Sequence, residues 1–359
     1  MSDLKTLPAG VDRGFGSTKY FSKENMGKIS SLISKISKNE AKKIIENNCD
    51  DEDVIVAMYK GEYFLIGKKV ADIRPEDGSR DLRRSRDNKK EMILFLTALA
   101  LASGEKKDSL VVVTTGLPTN DYDKYREDYK KEIYNHGEPH VIRLFFNGKS
   151  LNKNLRVKVV SVENQPKGTV ITLMNNDAKK GKSWSEIRIK KIGICDIGFN
   201  TTDLSVYSGK DMISSSQSLN FSTKATHSIV KDVQKIVFDK YKADKNDEDI
   251  IKSLETGKIK YRGKEIDVSK EIKDAFLKNA NEIVEKISSN WESMLDTFDS
   301  ICLTGGILEN KAFSLTLQEI FKEKTGWTVS IARNPQYANV YGFYLISQSI
   351  INSRGYNRK

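Results

Sequence analysis

"GVDRGFGSTKYF", residues 10–21, sets one acid, Asp12, among three glycines and follows them with Ser17, Thr18 and Lys19. Read alone, the stretch is either a Gly-rich hairpin turn or a loop shaped to wrap a phosphate. A second stretch, "ICDIGFNTTDLSVY" at residues 194–207, carries a similar phrase. In both, an apolar run leads into Asp, any residue, Gly, then hydroxyl-bearing residues and a further strand-like run. The two acids, Asp12 and Asp196, lie 184 positions apart (196 − 12), so the halves of the chain begin their strand-rich parts alike.

The chemistry of such a pair is that of anion binding. A glycine in a hairpin bend lets backbone N–H groups approach an anion with no Cβ in the way. Hydroxyls of Ser17, Thr201 and Thr202 can donate to phosphate oxygens, and Lys19 brings a compact positive charge. Asp12 and Asp196, at the ends of two strands, suit a hydrated Mg2+ held through its waters, because Mg2+ keeps much of its hydration shell. A third element, "SICLTGGILE" at 300–309, is an apolar strand ending in Gly305-Gly306. There a base and ribose can lie against bare backbone. Other phosphate motifs fail: the "GKS" at 181–183 has Asn176 where a Walker A loop needs glycine. No GxGxxG follows a strand.

With 359 residues the chain is too long for one compact core, and two domains are expected. Charged residues at 30% against 38% apolar suit a folded, well-solvated protein, and no apolar run approaches a bilayer span of about 20 residues. The beginning "MSDLKTLPAG" has no apolar signal-peptide core, so the expected location is cytoplasmic, with no membrane partner. Cys49, Cys195 and Cys302 lack metal or disulfide spacing, and the last two sit in apolar strand-like runs as buried thiols. His136, His140 and His227 form no metal or triad pattern. The net charge of +11 is spread along the chain; its densest part, residues 79–90, reads as a solvated loop or helix start before it reads as a binding patch.

Strands are expected at 53–67, 110–118, 140–148, 154–165 and 186–207, with an Asn-Gly turn at 147–148. Helices are expected at 89–103, 121–134, 226–242, 269–296, 311–324 and 335–351, the last starting on Pro335. The polar stretch 175–184 is the candidate domain boundary.

With these three elements in order, the chain resembles the actin, Hsp70 and sugar-kinase ATPase superfamily, and within it the ParM/StbA-type bacterial actins. Asp12, Gly14, Ser17 and Lys19, with Phe15, Gly16 and Thr18 between them, match the first phosphate loop. Asp196, Gly198, Asn200, Thr201, Thr202 and Asp203 match the second, and Gly305 and Gly306, followed by Ile307, match the adenosine motif. "YFLIGKKVAD", "VVVTTGLPTNDYD" and "LFFNGKSLNKNLRVKVVSVENQPKGT" are similar to further ParM-type phrases. The likeness spans about residues 10 to 350 as short motifs in divergent sequence. It departs at Arg13, beside the first acid, and at Ile307, where a third glycine is common.

The resemblance implies an α/β, actin-like two-domain ATPase fold, each domain a mixed sheet flanked by helices, with the nucleotide in the interdomain cleft. Domain I would be 1–184 plus 335–359, with a small subdomain at about 22–90. Domain II would be 185–334, with a small subdomain at about 216–295. It implies ATP, or GTP, with Mg2+. Gln165 would position the attacking water in a "Q-x-x-G" phrase that ends at Gly168, with Glu163 as the competing choice. The implied work is a head-to-tail filament, single or multi-stranded, that moves plasmid DNA through a DNA-bound adaptor of ParR type. Two other readings compete. One is a small-molecule kinase of the same fold using Asp121 or Asp123, although both look like helix-start acids. The other is a nucleic-acid-binding protein, which leaves the paired loops without a purpose.

Overall fold

The computed structural model describes residues 6–47, 54–74, 88–213, 219–221 and 226–356. The chain divides into two compact units, Met1–Thr172 with Asn339–Lys359, and Leu173–Ala338.

Unit 1 contains β1 (Leu7–Arg13), β2 (Ser17–Ser22), β3 (Met26–Ser30), β4 (Ile33–Ile36), α1 (Lys38–Asn47), β5 (Ile55–Tyr59), β6 (Glu62–Ile66), α2 (Val70–Ile73), α3 (Asn88–Ala102), β7 (Asp108–Leu117), α4 (Thr119–Tyr134), β8 (His140–Phe146), β9 (Lys149–Asn164) and the start of α5 (Lys167–Lys179). Its nine strands run in the order β3-β2-β1-β7-β9-β8-β5-β6-β4. β7 is parallel to β1 and β9, and the other pairings are antiparallel, so the sheet is mixed. β7 lies mid-sheet and is buried on both faces, which is why "LVVVTTGL" reads as a continuous apolar run rather than an alternating one. The described side chains of α3 are buried from Met92 to Ala102, as expected of a helix apolar on every side. The run 53–67 is a hairpin, turned by Lys60 and Gly61, which both take positive φ. The Asn147-Gly148 turn between β8 and β9 does the same.

Unit 2 holds the rest of α5, α6 (Trp184–Arg188), β10 (Lys191–Ile197), β11 (Thr202–Ser208), β12 (Asp211–Met212), β13 (Leu219–Phe221), α7 (Thr226–Tyr241), α8 (Asp247–Thr256), β14 (Lys258–Tyr261), β15 (Lys264–Asp267), α9 (Ser269–Trp291), β16 (Ser300–Thr304), α10 (Lys311–Thr325) and β17 (Ser330–Ile331). Its main sheet runs β12-β11-β10-β16-β17, with β13 on β11; β14 and β15 form a separate hairpin. One apolar cluster ties β10, β11 and β16 to α7, α9 and α10 around fully buried Trp291. Each unit is therefore a mixed or branched sheet with helices against it, as the α/β expectation requires.

The last helix, α11 (Ala338–Arg354), belongs with unit 1 and lies against β1. A Cβ at Gly10 would stand 2.3 Å from the Val340 carbonyl oxygen. The Ser347 hydroxyl donates to the Ala9 carbonyl at 2.8 Å and meets the Thr114 hydroxyl at 2.8 Å. This contact explains why "TLPAGVDRG" has few large apolar residues for a first strand: the helix backbone occupies their space.

Two expectations are corrected. Residues 186–190 are not strand, because Ser183 caps a short helix in a reciprocal capping box with Glu186. Pro335 does not open the last helix. It sits in a turn, where its carbonyl accepts from the Thr304 hydroxyl and the Gly305 N–H.

Candidate functional site

The phrase around Asp12 folds as the β1–β2 hairpin. Arg13 pairs with Thr18 and Asp12 with Lys19, leaving Gly14 to Ser17 as the turn. The Gly14 N–H donates to the Ser17 carbonyl at 3.1 Å. The phrase around Asp196 folds as β10–β11 in the same register: Ile197 pairs with Thr202 and Asp196 with Asp203. The Gly198 N–H donates to the Thr201 carbonyl at 2.8 Å. In each turn a Cβ on the glycine would come 2.9 Å from that same carbonyl oxygen, closer than real Cβ atoms pack. The glycines thus answer to turn closure, and the two phrases are one structural device used twice.

The side chains differ. Asp12 is 2% exposed, and the Lys19 ammonium sits 3.3 Å from its Oδ2. Its Oδ1 is buried with no hydrogen-bond partner. A buried, unsatisfied carboxylate oxygen is costly, and it is the kind of hard donor that a hydrated divalent cation or its water engages. In the second hairpin the residue facing Asp196 is another acid, Asp203; both are buried, and Asp203 accepts from the Thr201 hydroxyl at 3.0 Å. Among the described residues no group of three or more His, Cys, Asp or Glu side chains gathers to hold a metal directly.

The structure places the other candidate residues as follows. The Ser17 hydroxyl takes no partner among the described residues, whereas the Thr18 hydroxyl is buried against that of Ser31 at 3.1 Å. Asn200 and Thr202 are also buried, so the polar main chain and the Ser17 and Thr201 side chains form the more open part of the turns. At the same end of the unit 1 sheet, Val11 of β1 pairs with Thr115 of β7, and Gly116 pairs with Glu163 of β9. The Gln165 N–H donates to the Leu117 carbonyl at 2.9 Å. Asp12 near the end of β1 and Glu163 and Gln165 at the end of β9 therefore lie at one end of this sheet, with β7 between them. Both Glu163 oxygens are engaged, by the Ser161 hydroxyl at 2.8 Å and the Lys167 ammonium at 2.7 Å. The Gln165 side chain makes no hydrogen bond among the described residues. Gly168 serves packing: a Cβ there would stand 2.3 Å from the Asn339 carbonyl oxygen, and Asn339 Oδ1 accepts from the N–H and hydroxyl of Thr169.

In unit 2, Asp196 pairs with Thr304 of β16. Gly305 follows with φ +114°, and a Cβ there would lie 2.1 Å from the Ile197 carbonyl oxygen. Only glycine meets both demands. Gly306 is exposed, while Ile307 is buried in the core cluster and faces inward.

Four supporting residues were not read from the sequence. Ser31 donates its hydroxyl to the Gly14 carbonyl at 2.7 Å, and its N–H donates to the Gly16 carbonyl. Arg13 turns inward, paired with Glu91 of α3 at 2.8 Å and lying 4.1 Å over the Tyr129 ring of α4. Under the second turn, Thr226 donates its N–H and hydroxyl to the Gly198 carbonyl, and His227 its N–H to the Phe199 carbonyl at 2.7 Å. These partners are remote in sequence and carry no motif, although "ISSLIS" (29–34) places a serine pair after β3.

Asp121 lies in the first turn of α4, where acids suit the helix dipole, and Asp123 two residues further along the same helix. Cys195 and Cys302 are buried free thiols; burial pushes Cys302 up to about 11, and burial with the nearby Asp196 and Asp203 also raises Cys195 well above its ordinary value. Cys49 and residues 79–87 lie outside the described residues. Among the described residues, no helix is long and apolar enough to cross a membrane.

Comparison with known proteins bears on the fold. Residues 10–168 match the N-terminal domain of actin-like proteins, and residues 194–309 match the C-terminal domain of the MreB-like archaeal actin homologue. No curated protein sequence matches the chain. Among solved structures, a 15-stranded ParM filament from Clostridium botulinum is 22% identical, covering 96% of this chain and 100% of that one with a TM-score of 0.75. The archaeal actin homologue Ta0583 in complex with ADP is 16% identical over 95% and 99%, at a TM-score of 0.70. Bacillus thuringiensis ParM with ATP is 13% identical over 96% and 99%, at 0.70. The paired hairpins, the two domain matches and the shared fold together place this chain among the actin-like proteins, with the fold of the ParM structures.

Proposed function

We propose that this protein is an actin-like ATPase that assembles head to tail into nucleotide-dependent filaments, and that the filament segregates plasmid DNA. The observation that carries this reading is the repeated Asp-x-Gly hairpin, closed by the same bond in both units, on a fold shared with a ParM filament protein. Both turns would serve one nucleotide, ATP or GTP, with Ser17, Lys19, Thr201 and the turn amides on its phosphates. Gly305 and Gly306 would leave bare backbone for the adenosine. Mg2+ would be held through water by Asp12, whose buried Oδ1 lacks a partner, and by Asp196, and would neutralise phosphate charge.

Gln165 is the residue we assign to orienting the attacking water, as an amide can do without acting as a strong base. Among the described residues its side chain makes no hydrogen bond, while Glu163 is held by Ser161 and Lys167. Head-to-tail contact is heterologous and gives an open helical filament when its rotation does not close. Linkage to DNA would run through a DNA-bound adaptor of ParR type. The expected location is the cytoplasm.

The test is sedimentation of the full chain with Mg2+ and ATP or a slowly hydrolysed analogue, followed by electron microscopy of the pellet. Polymer that needs nucleotide supports the proposal. ATP turnover stimulated by one metabolite with no polymer would replace it with a small-molecule kinase. In Gln165→Ala, hydrolysis should slow while ATP-bound polymer still forms. Turnover kept in Gln165→Ala but lost in Glu163→Ala reverses the assignment between them.

A further inference from the structure

Beneath the second turn, one residue makes three separate connections. The His227 main-chain N–H donates to the Phe199 carbonyl at 2.7 Å. Its ring stacks on the Phe199 ring, with centroids 5.4 Å apart and 26° between planes. Its Nε2 stands 3.4 Å from Asp247 Oδ2, at the first residue of α8. Phe199 is the second residue of the turn that Gly198 and Thr201 close, so any movement of that turn carries the Phe199 ring and carbonyl with it. His227, the second residue of α7, reaches the first residue of α8 and so links the two helices.

We propose that His227 is a positioning residue for the second hairpin, coupling the state of the turn around Phe199 to the start of α8. This rests on reading the hairpin as a phosphate turn. When an anion draws the turn amides inward, Phe199 shifts, His227 follows through stacking and its N–H, and the contact with Asp247 tightens or loosens. Thr226 cannot substitute, because among the described residues its N–H and hydroxyl both donate to Gly198 and reach no second helix.

The charges around His227 fit the role. Asp247 also accepts from the Lys231 ammonium at 2.7 Å, one turn along α7. Burial opposes the Asp247 charge, but hydrogen bonds from His227 and Lys231 hold its carboxyl down to about 2. Further along the helix, Asp232 is satisfied by Lys278 and Asn279 of α9. Asp247 is therefore a committed anion waiting on one imidazole and one lysine. The imidazole is a quarter exposed, at 26%, so its place is set by these contacts rather than by enclosure in the core.

Hydrogen exchange on the full chain with and without ADP tests the coupling. In the natural sequence, ADP should slow exchange in residues 196–203 and also in 247–256. His227→Phe keeps a ring for Phe199 but offers nothing to Asp247. It should keep the protection of 196–203 and lose the response in 247–256, while KM for ATP rises about tenfold (1.4 kcal/mol) and kcat stays within about twofold. Asp247→Asn, which leaves the imidazole in place, should reproduce this split, and the double variant should add little to either single change. An undiminished α8 response in both single variants overturns the coupling. Protection of 196–203 with no α8 response in the natural sequence overturns it as well, and leaves the phosphate reading standing. Protection of neither segment overturns the phosphate reading itself.

Discussion

The hairpins at Asp12 and Asp196 close with the same Gly N–H bond, at 3.1 and 2.8 Å, and forbid a Cβ at the same 2.9 Å, yet their supports have nothing in common. Beneath the first lie the Ser31 hydroxyl and the Arg13–Glu91 pair; beneath the second lies the start of α7 with Thr226 and His227. Opposite Asp12 stands a lysine, and opposite Asp196 a second acid. Backbone geometry is thus what the repeat shares, while charge is where the copies divide the work. The first hairpin sets a lysine against its acid, and the second sets one acid opposite another.

The largest test of that division uses the acids themselves. Asp12→Ala and Asp196→Ala should each lower ATP turnover on the order of 10²–10³-fold, the usual loss for one preorganised electrostatic group. Near-native turnover in either variant would remove that acid from the site. Next come the glycines. Gly14→Ala and Gly198→Ala both press a methyl on their own turn carbonyl, and each should cost roughly 2 kcal/mol in denaturant unfolding. The two losses should agree closely, and a neutral result at one would show that the turns are not equivalent.

Exchanging the facing residues should split the pair. Lys19→Met leaves Asp12, 2% exposed, without its counter-charge, and should cost about 1–2 kcal/mol in the absence of nucleotide. Asp203→Asn keeps an acceptor for Thr201 and eases the opposition to Asp196, so its cost should stay below about 0.5 kcal/mol. Unfolding curves without nucleotide decide this. Equal losses would mean that the charge difference between the hairpins has no energetic meaning.

This contrast also marks how far the sequence could be read. The turns were legible because Asp-x-Gly and the flanking apolar runs are local, and the closing bond spans only three residues. Gly305 was legible for the same reason, as a glycine at the end of an apolar strand. The supports were not, since Ser31 and Gly14 are joined only by the pairing of β3 on β2. His227 reaches Phe199 across a segment with no periodic signal. Arg13 looked like a departure from the family pattern; its stacking on Tyr129 and pairing with Glu91 depend on where α3 and α4 pack. Pro335 misled because a proline before a helical run often opens the helix, and here it sits in a turn, where its carbonyl accepts from Thr304 and Gly305 instead.

A comparison across pH separates the two supports. Ser31→Ala removes a buried hydroxyl bond to the Gly14 carbonyl and should cost about 1 kcal/mol. No titrating group takes part in that bond, so the loss should be the same at pH 7 and pH 3. Asp247 differs: its carboxyl stands at about 2 in the fold against an ordinary 3.8. A depressed carboxyl stabilises the fold above its unfolded value and loses that contribution as pH falls through the window from about 4 to 2. With its side chain 22% exposed, Asp247→Asn should cost about 1 kcal/mol at pH 7, and the loss should shrink by pH 3 as the natural carboxyl begins to take up its proton. Urea midpoints of both variants at the two pH values provide the comparison. A Ser31→Ala loss that fades in acid, or an Asp247→Asn loss that does not, would show that the acid-sensitive contact lies elsewhere than under the second hairpin.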